Sequence, residues 1–321
     1  MNEKILELIK RNTAEIVTET ELAAMLREKN IGEIVTYCGY EVSGPVHLGT
    51  LVTANKQLDF LKAGLKVKVL FADVHTLLNR KGDEKFVEEM LDYWKTVFKA
   101  FGLEKAEFIL GSEFQFDDEY IKDVLKLSLN VTIKRALRSM QEIARDIEHA
   151  RVSQIVYPMM QIADIKHLGV DIAHGGLEQR KIHMLARETL EDIEYKKPIC
   201  IHTPLLVSIL GSESKMSSSK PETTIKVEDS EEVVREKIKK AYCPISNENN
   251  PILQISRYLI FPRFGEFIVK RDEKFGGDLC FENYESLEKA FLSRELHPLD
   301  LKENVARYVN KLLEPIREKL G

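Results

Sequence analysis

Residues 33–50 have the sequence EIVTYCGYEVSGPVHLGT, and the pattern within them indicates the class of fold. The first part of this stretch, from Glu33 to Tyr40, is rich in β-branched and aromatic residues and predicts a buried strand. Its second part is punctuated by Gly44 and Gly49, and an apolar pattern of helical period follows from Leu48 to Leu65. The stretch therefore predicts a strand, a turn and a helix in that order.

The same alternation continues on either side of this unit. Two amphipathic helices, Ile5–Lys10 and Glu19–Arg27, precede it, and Thr18 with Glu21 forms a capping signature for the second. Because strands alternate with helices of crossover length, the pattern predicts an α/β fold with a parallel sheet. The predicted elements that follow are strand Val67–Asp73, helix Glu84–Phe101, strand Glu107–Leu110, helix Ser153–Lys166, strand Val170–Ala173, helix Leu177–Leu190 and strands Pro198–Ile201 and Leu205–Ile209.

The segment Gly211–Glu222 ends the alternation, since it is rich in Ser, Gly and Lys and has no apolar period. With 321 residues the chain has room for two domains. We expect an α/β domain over residues 1–222, with a helical insertion at about 117–150, and a smaller helical domain over 223–321. The predicted helices of the second domain are Glu231–Tyr242, Pro251–Leu259, Tyr284–Leu292 and Leu299–Leu320.

Composition excludes several classes of protein. With 44% hydrophobic and 31% charged residues, the chain is neither collagen-like nor disordered. Its four cysteines are scattered without a C-x-x-C pair, which argues against a zinc ribbon or a disulfide framework. The net charge of −5 means that a nucleic acid would have to meet local basic patches. No signal peptide or membrane span is predicted, so we expect a cytoplasmic protein without membrane contacts.

Two segments have the composition of a phosphate site. The turn containing Gly44, His47 and Gly49 lies between a strand and a helix, where backbone N–H groups and the helix dipole favour anions. It is neither a P-loop nor a dinucleotide fingerprint, because Gly44 is followed by Pro-Val and the G-x-G-x-x-G spacing is missing. Far downstream, KMSSS (215–219) offers a flexible ammonium and three hydroxyls to a triphosphate.

The order of these segments along the chain resembles a class I aminoacyl-tRNA synthetase, and more narrowly the archaeal and eukaryotic type of tyrosyl-tRNA synthetase. The family's H-x-G-H signature here ends in Thr50, and Ser stands where the wider K-M-S-K-S pattern has its later Lys. The resemblance covers nearly the whole chain and is carried by YCGYEVSGPVHLG (37–49), FADVH (71–75), GSEFQ (111–115), VYPMMQIADIKHLGVD (156–171), GGLEQRKIHMLAR (175–187), KMSSS (215–219), KFGGDL (274–279) and ELHPLDLK (295–302).

The resemblance implies a Rossmann-like nucleotide-binding domain followed by an anticodon-binding domain. The implied reaction is the activation of tyrosine with ATP and the transfer of tyrosine to the 3′ end of tRNA(Tyr). Such activation needs aligned donors and no protein nucleophile. Mg²⁺ would arrive with ATP, bound mainly through phosphate oxygens. The implied catalytic residues are His47, Lys215, Ser217, Ser218 and Ser219, and the implied ATP-binding residues are Gly44, His47, Gly49, Thr50, Lys215 and Met216.

A tyrosine site needs a phenol-sized slot with a hydrogen-bond acceptor and polar groups for the α-amino group. By resemblance, Tyr37 and Asp164 serve the phenol hydroxyl, and Tyr157, Gln161 and Gln179 serve the amino group. On spacing alone, Tyr37 would be a buried strand tyrosine and Asp164 a turn residue. Tyr157, Gln161 and Asp164 are spaced i, i+4 and i+7, which places them on one helix face. The remaining implied tyrosine-binding residues are Gly39, Ala72 and His75.

The resemblance also implies contacts with tRNA and a second copy of the chain. Arg138, Arg180 and Lys181 correspond to positions that approach the first acceptor base pair. Phe275, His297 and Asp300 correspond to positions around the anticodon, where an aromatic face can stack on a base and a carboxylate can accept from guanine. A homodimer joined through the region near residues 117–150 is implied as well, and no DNA partner is expected.

Alternatives remain at this stage. A tryptophanyl-tRNA synthetase shares the subclass fold, and an adenylyl-transferring relative could use another small acid. A catalytically silent RNA-binding relative is conceivable because of Thr50. We predict no protein metal site: His167, Asp171 and His174 span a helix end, a turn and a strand, so their side chains are not expected to converge.

Overall fold

The computed structural model describes residues 3–144, 147–211, 216 and 221–321 of the chain. The predicted catalytic residues Lys215, Ser217, Ser218 and Ser219 lie outside the described residues. Contacts divide the chain into two compact units. The first comprises Met1–Ser43, Lys56–Lys95 and Leu103–Pro204, and the second comprises Gly44–Asn55, Thr96–Gly102 and Leu205–Gly321.

The first unit is built on a six-stranded sheet with the order β1-β6-β5-β2-β3-β4. All neighbouring strands are parallel except β1 and β6, which pair antiparallel. The predicted α/β fold is therefore confirmed. The sheet grows in one direction from β2 to β4 and in the other through β5 and β6, so β2 and β5 flank the switch point at which open α/β sheets bind ligands. The strands are β1 Glu15–Val17, β2 Val35–Tyr40, β3 Lys66–Phe71, β4 Glu107–Leu110, β5 Ile172–Gly176 and β6 Ile199–Thr203.

Helices connect these strands largely as the sequence predicts, but α4 was not predicted, and Asp73, which was predicted to end a strand, lies in its first turn. Thr18 caps α2 and forms the expected capping box with Glu21. The buried faces of α6, α7, α8 and α9 meet in one apolar cluster with Tyr37, Leu70 and Ala173 of the sheet, and this cluster forms the core beside the predicted tyrosine slot. The helices are α1 Glu3–Lys10, α2 Glu19–Glu28, α3 Leu48–Ala63, α4 Asp73–Leu78, α5 Glu84–Phe98, α6 Asp118–Asn130, α7 Ile133–Met140, α8 Val152–His167 and α9 Arg180–Thr189.

The C-terminal part of the second unit is mainly helical but also contains a small antiparallel hairpin, which the sequence analysis missed. The hairpin pairs Phe267–Val269 with Leu279–Phe281. Tyr308 of the last helix stacks on Phe267 at 4.9 Å between ring centroids and packs the hairpin against that helix. The elements are α10 Glu231–Lys240, α11 Pro251–Ile255, α12 Phe261–Phe264, β7 Phe267–Val269, β8 Leu279–Phe281, α13 Tyr284–Leu292 and α14 Pro298–Leu320.

The predicted strand Leu205–Ile209 is wrong. Its backbone forms hydrogen bonds with a loop and a side chain instead of a neighbouring strand. Leu206 O accepts from Met216 N at 3.0 Å, and Val207 N donates to Gln254 Oε1 at 3.0 Å. The edge strand β1 was not predicted, since three residues carry too short a pattern. Among the described residues, no helix has the length and apolar character needed to cross a membrane.

Candidate functional site

The residues predicted to bind tyrosine lie together at the carboxyl ends of the strands in the first unit. Tyr37 is on β2, and Ala72 and His75 follow β3. Gln179 lies in a short turn after β5, and Gly39 is an exposed position at the end of β2. This edge of a parallel sheet is where an open α/β fold places its ligands.

Helix α8 supplies the three residues that the sequence placed on one helix face. Tyr157 and Asp164 are buried, and Gln161 is partly buried. All three lie near Tyr37. Burial raises the pKa of Tyr37 well above its usual value, and the nearby Asp164 carboxylate raises it further. A hydrogen bond with Gln161 lowers the same pKa. Tyr37 therefore keeps its proton and offers a hydroxyl to the slot.

Asp164 is held by two donors that reach one of its oxygens. Gln115 Nε2 and the Tyr120 hydroxyl each donate to Asp164 Oδ1 at 2.7 Å. Because both bonds end on Oδ1, Oδ2 remains available to a ligand. Burial raises the pKa of this carboxyl to about 7, although the two donors stabilise its charged form.

His75 lies beside Asp164 without forming an ion pair. Its Nε2 is 3.7 Å from Asp164 Oδ2, but burial lowers the pKa of the imidazole to about 3, so the ring is neutral at pH 7. The ring packs edge-on against Tyr157 with centroids 4.6 Å apart. His75 is thus a neutral polar wall of the slot.

Gly111 makes this arrangement possible. A Cβ at this position would lie 2.6 Å from Gln115 Oε1 and 2.7 Å from Asp73 Oδ1, closer than real Cβ atoms approach. The backbone here also donates from Ser112 N to Asp73 Oδ1 at 3.0 Å. Glycine at this position lets the turn after β4 approach Gln115 and Asp73 without displacing either side chain, so that Gln115 can reach Asp164.

The amino-group side of the slot contains acceptor atoms. Gln161 Nε2 donates to Gln179 Oε1 at 3.1 Å, while the buried Gln161 Oε1 has no hydrogen-bond partner among the described residues. Burial raises the pKa of Tyr157 strongly, and its hydrogen bond to Glu41 acts in the same direction. Glu41 in turn accepts from Asn79 Nδ2 at 2.7 Å. The α-ammonium group of an amino acid could donate a hydrogen bond to the unpaired Gln161 Oε1.

Sequence reasoning missed Tyr120 and Glu41 in this site. Tyr120 projects from α6, and Glu41 follows β2, so neither belongs to the α8 pattern that marked the slot. The signal for Glu41 was its place directly after a buried strand, and the signal for Tyr120 was an aromatic residue on the buried face of a helix.

Four of the predicted ATP-binding residues, Gly44, His47, Gly49 and Thr50, lie in the second unit and form a tight turn. Gly49 N donates to His47 Nδ1 at 3.1 Å, and Thr50 N donates to His47 O at 2.9 Å. A Cβ on Gly49 would lie 2.8 Å from His47 Cε1, so the ring needs glycine beneath it, and it would lie 3.6 Å from Met216 Cβ. Gly44 has a φ of +146°, a value that favours glycine. The turn thus adjoins the one described residue of segment 212–220.

The predicted tRNA residues are at the surface. Arg138 is exposed on α7, and Arg180 and Lys181 open α9. Arg180 Nε lies 2.6 Å from Glu15 Oε1, and Lys181 Nζ lies 2.8 Å from Glu142 Oε1. Arg180 and Lys181, two of the three residues predicted to approach the first acceptor base pair, therefore already pair with carboxylates of the same unit.

In the second unit, Phe275 is 62% exposed, with Lys274 Nζ 4.9 Å from its ring centroid. His297 caps α14 by accepting from Leu299 N at 3.2 Å, and Asp300 lies in the first turn of that helix. His297 therefore marks the start of α14, and an exposed aromatic ring and a carboxylate of the second unit could meet a base.

The three residues considered for a metal diverge. His167 Nε2 lies 2.9 Å from Asp123, Asp171 pairs with Lys29 and Lys196, and His174 contacts Gln57. Across the described part of the chain, no group of three or more His, Cys, Asp or Glu side chains is arranged to hold a metal ion.

Comparison with known proteins gives concordant results. The sequence matches the family described as tRNA synthetases class I (W and Y) over residues 29–314. It is 51% identical to the tyrosine–tRNA ligase of Methanosarcina barkeri over 318 residues, 98% of this chain and 99% of that relative. It is 49% identical to the tyrosine–tRNA ligase of Methanocaldococcus jannaschii over 316 residues, 98% of this chain and 99% of that relative.

The fold is similar to solved structures. Tyrosyl-tRNA synthetase complexed with L-tyrosine from Archaeoglobus fulgidus has a TM-score of 0.95, at 50% identity and 99% coverage of both chains. Tryptophanyl-tRNA synthetase from Aeropyrum pernix shares the fold at a TM-score of 0.73, with 18% identity over 94% of this chain and 81% of that one.

Proposed function

The chain belongs to the class I tRNA synthetases of the W and Y family, and from that premise we propose its reaction: it activates tyrosine with ATP and transfers the tyrosyl group to tRNA(Tyr). Relatives at about half identity over nearly the whole chain are tyrosine–tRNA ligases. The tyrosine reaction is therefore favoured over the tryptophan alternative, for which the similarity is one of fold.

The observation that carries this proposal is the buried Asp164 carboxyl group beside the Tyr37 hydroxyl. A phenol hydroxyl entering the slot would meet Asp164 Oδ2 as an acceptor, while Gln115 and Tyr120 hold the other oxygen. A phenylalanine ring would leave these buried groups without a partner, which costs the full desolvation of each group.

In the first step, a carboxylate oxygen of tyrosine attacks the α-phosphorus of ATP, and the bond from that phosphorus to pyrophosphate breaks. In our proposal His47, Gly49 and Thr50 hold ATP at the start of α3, and Gly44 shapes the turn. Met216, the one described residue of segment 212–220, adjoins Gly49. Lys215, Ser217, Ser218 and Ser219 would then stabilise the departing pyrophosphate, to which Mg²⁺ is bound as part of the substrate.

In the second step, a ribose hydroxyl of the terminal adenosine attacks the tyrosyl carbonyl carbon, and AMP leaves. Arg138, Arg180 and Lys181 offer cations to the acceptor end, since all three lie at the surface of the first unit. Phe275, His297 and Asp300 offer stacking and hydrogen bonds to the anticodon from the second unit. On this assignment the anticodon domain begins after about residue 222.

A second copy of the chain is proposed to cover an apolar face of α6 and its surroundings. Leu129 is 85% exposed and Leu125 is 62% exposed. A helix at a solvent-facing surface ordinarily turns polar side chains outward, so this apolar face indicates a contact with another molecule. Ile121 and Ile133 continue the same face. This patch lies within residues 117–150 and supports a homodimer.

We also propose that the enzyme acts in the cytoplasm, where tRNA is charged.

Charging of a tRNA(Tyr) transcript with labelled tyrosine tests the proposed function. Purified protein should esterify tRNA(Tyr) with tyrosine in the presence of ATP and Mg²⁺, and it should leave tRNA(Trp) with tryptophan uncharged. Charging of tRNA(Trp) instead would establish the tryptophan alternative. Tight binding of tRNA(Tyr) without any charging would establish the silent RNA-binding alternative, for which Thr50 would be the first residue to examine.

A further inference from the structure

Glu15 stands at one end of a row of residues that crosses the sheet of the first unit. In the register of β1 and β6 it pairs directly with His202, and in the register of β6 and β5 His202 pairs with Gly175. Directly paired residues project to the same face of a sheet. Glu15, His202 and the empty position at Gly175 therefore lie side by side.

The space above Gly175 is filled by residues that flank the start of α9. A Cβ at Gly175 would lie 2.8 Å from Gln179 Cγ and 3.5 Å from His183 Cε1. His183 Nδ1 lies 2.9 Å from His202 Nε2, and the two rings stack at 5.0 Å. The buried histidine pair thus ties the first turn of α9 to the sheet.

One oxygen of Glu15 lies close to two nitrogen atoms. Its Oε1 is 2.9 Å from His202 Nδ1 and 2.6 Å from Arg180 Nε, which are ion-pair distances, but neither approach has hydrogen-bond geometry. Burial lowers the pKa values of both His202 and His183, so the ring pair is neutral at pH 7 and the Glu15 charge is matched by Arg180. Glu15 is only about a quarter exposed, which limits its movement.

The ion pair restrains the Arg180 side chain at the edge of the sheet. Glu15 Oε1 lies beside Nε, at the inner edge of the guanidinium group, and the side chain is 47% exposed. With the carboxylate at the Nε edge, the planar guanidinium can turn its two η-amino groups toward a phosphate or a base edge. Lys181, which pairs with Glu142, has a single ammonium group and no such second edge.

We propose that Glu15 is a positioning residue for tRNA charging, which restrains Arg180 by an ion pair at its Nε edge so that the guanidinium group meets the acceptor end of the tRNA. The proposal rests on the proposed function, since it takes the Arg180 contact with tRNA as its premise. It gives the edge strand β1 a functional role, because β1 carries the carboxylate that aims a cation of α9.

The test compares the kinetics of tRNA charging with tyrosine-dependent exchange between ATP and pyrophosphate, which needs no tRNA. Glu15→Gln keeps the shape of the side chain and removes its charge. We expect a KM for tRNA(Tyr) about five- to tenfold higher, the size typical of coupling between contacting residues, with unchanged exchange. Arg180→Lys keeps the positive charge but lacks Nε, and it should raise the KM as much without altering β1.

A double-mutant cycle separates positioning from general support of the fold. If Glu15 acts through Arg180, Glu15→Gln should add nothing in an Arg180→Ala background. Glu21→Gln is the matched control, because Glu21 also pairs with an arginine of α9, Arg187, at 2.8 Å. This control should leave the KM for tRNA at the wild-type value.

Three results would overturn the proposal: an unchanged KM in Glu15→Gln, an increase that persists in the Arg180→Ala background, or a parallel loss of exchange. If Arg180→Ala itself charges tRNA like the wild type, the premise is wrong and the proposal falls with it. Wild-type protein that exchanges pyrophosphate but charges no tRNA would instead contradict the proposed function, and the two failures are therefore distinguishable.

Discussion

Replacing Asp164 by alanine is the sharpest perturbation of the tyrosine slot. Asp164 Oδ1 is occupied by Gln115 and Tyr120, so the substitution removes the Oδ2 acceptor that the phenol would use. A hydrogen bond to a charged group contributes about 1.5–3 kcal/mol. This loss corresponds to a decrease of about tenfold to 150-fold in kcat/KM for tyrosine.

Exchange between ATP and pyrophosphate at varied tyrosine and ATP concentrations measures this loss. We expect the KM for ATP to stay at the wild-type value, because the predicted ATP residues lie on a different segment. Phenylalanine needs no acceptor, so the ratio of tyrosine to phenylalanine use should fall by the same factor. Asp171→Asn is the matched control: Asp171 is a buried carboxylate at the amino ends of β2 and β5, where its loss should reduce stability alone.

Two results would refute the assignment of Asp164. An equal loss for tyrosine and ATP would mean that the substitution disturbs the whole domain. An unchanged ratio of tyrosine to phenylalanine use would mean that another group recognises the phenol.

Three further predictions concern other parts of the account. Burial raises the pKa of Asp164 in the folded protein from 3.8 to about 7, so between these pH values the unfolded chain has released a proton that the folded chain still holds. Urea unfolding should therefore show the stability of the wild type falling, by up to about 4 kcal/mol, as the pH rises through this window. Asp164→Asn should lack this fall. Gly49→Ala should raise the KM for ATP by about ten- to a hundredfold because its Cβ meets the His47 ring, while tyrosine affinity measured by equilibrium dialysis should not change. Asp300→Ala should raise the KM for tRNA roughly tenfold without altering pyrophosphate exchange, and an unchanged KM would remove Asp300 from the anticodon site.

The sequence predicted the sheet well where its signals were local. Runs of β-branched residues such as Val35–Tyr40 are buried along most of their length, and a buried parallel strand must be apolar nearly throughout. The spacing of Tyr157, Gln161 and Asp164 was likewise sufficient to place them on one helix face, because helical geometry fixes that relation.

The missed elements depend on contacts between distant residues. The strand β1 has only three residues, and it pairs with residues 200–202 of β6, which lie far away in the sequence. No local pattern in either segment indicates that the two pair. The run Leu205–Ile209 has the composition of a strand, yet Gln254 and Met216 bind its backbone instead. The two-stranded hairpin of the second unit is equally short.

The candidate site shows the same division. Asp164 and Tyr157 were found because they lie in sequence motifs whose order along the chain resembles that of a known family. Tyr120 and Glu41, which contact Asp164 and Tyr157 respectively, were not marked by the α8 spacing pattern. Gly111 was visible only within the segment GSEFQ, and its role follows from the closeness of Gln115 and Asp73, which spacing cannot give.

Amino-acid-dependent exchange between ATP and pyrophosphate by the purified chain, without tRNA, distinguishes tyrosine activation from its alternatives when tyrosine, tryptophan and phenylalanine are compared. We predict exchange with tyrosine and none above background with the other two amino acids. Exchange driven by tryptophan, or no exchange with any of the three, would contradict the proposed tyrosine activation.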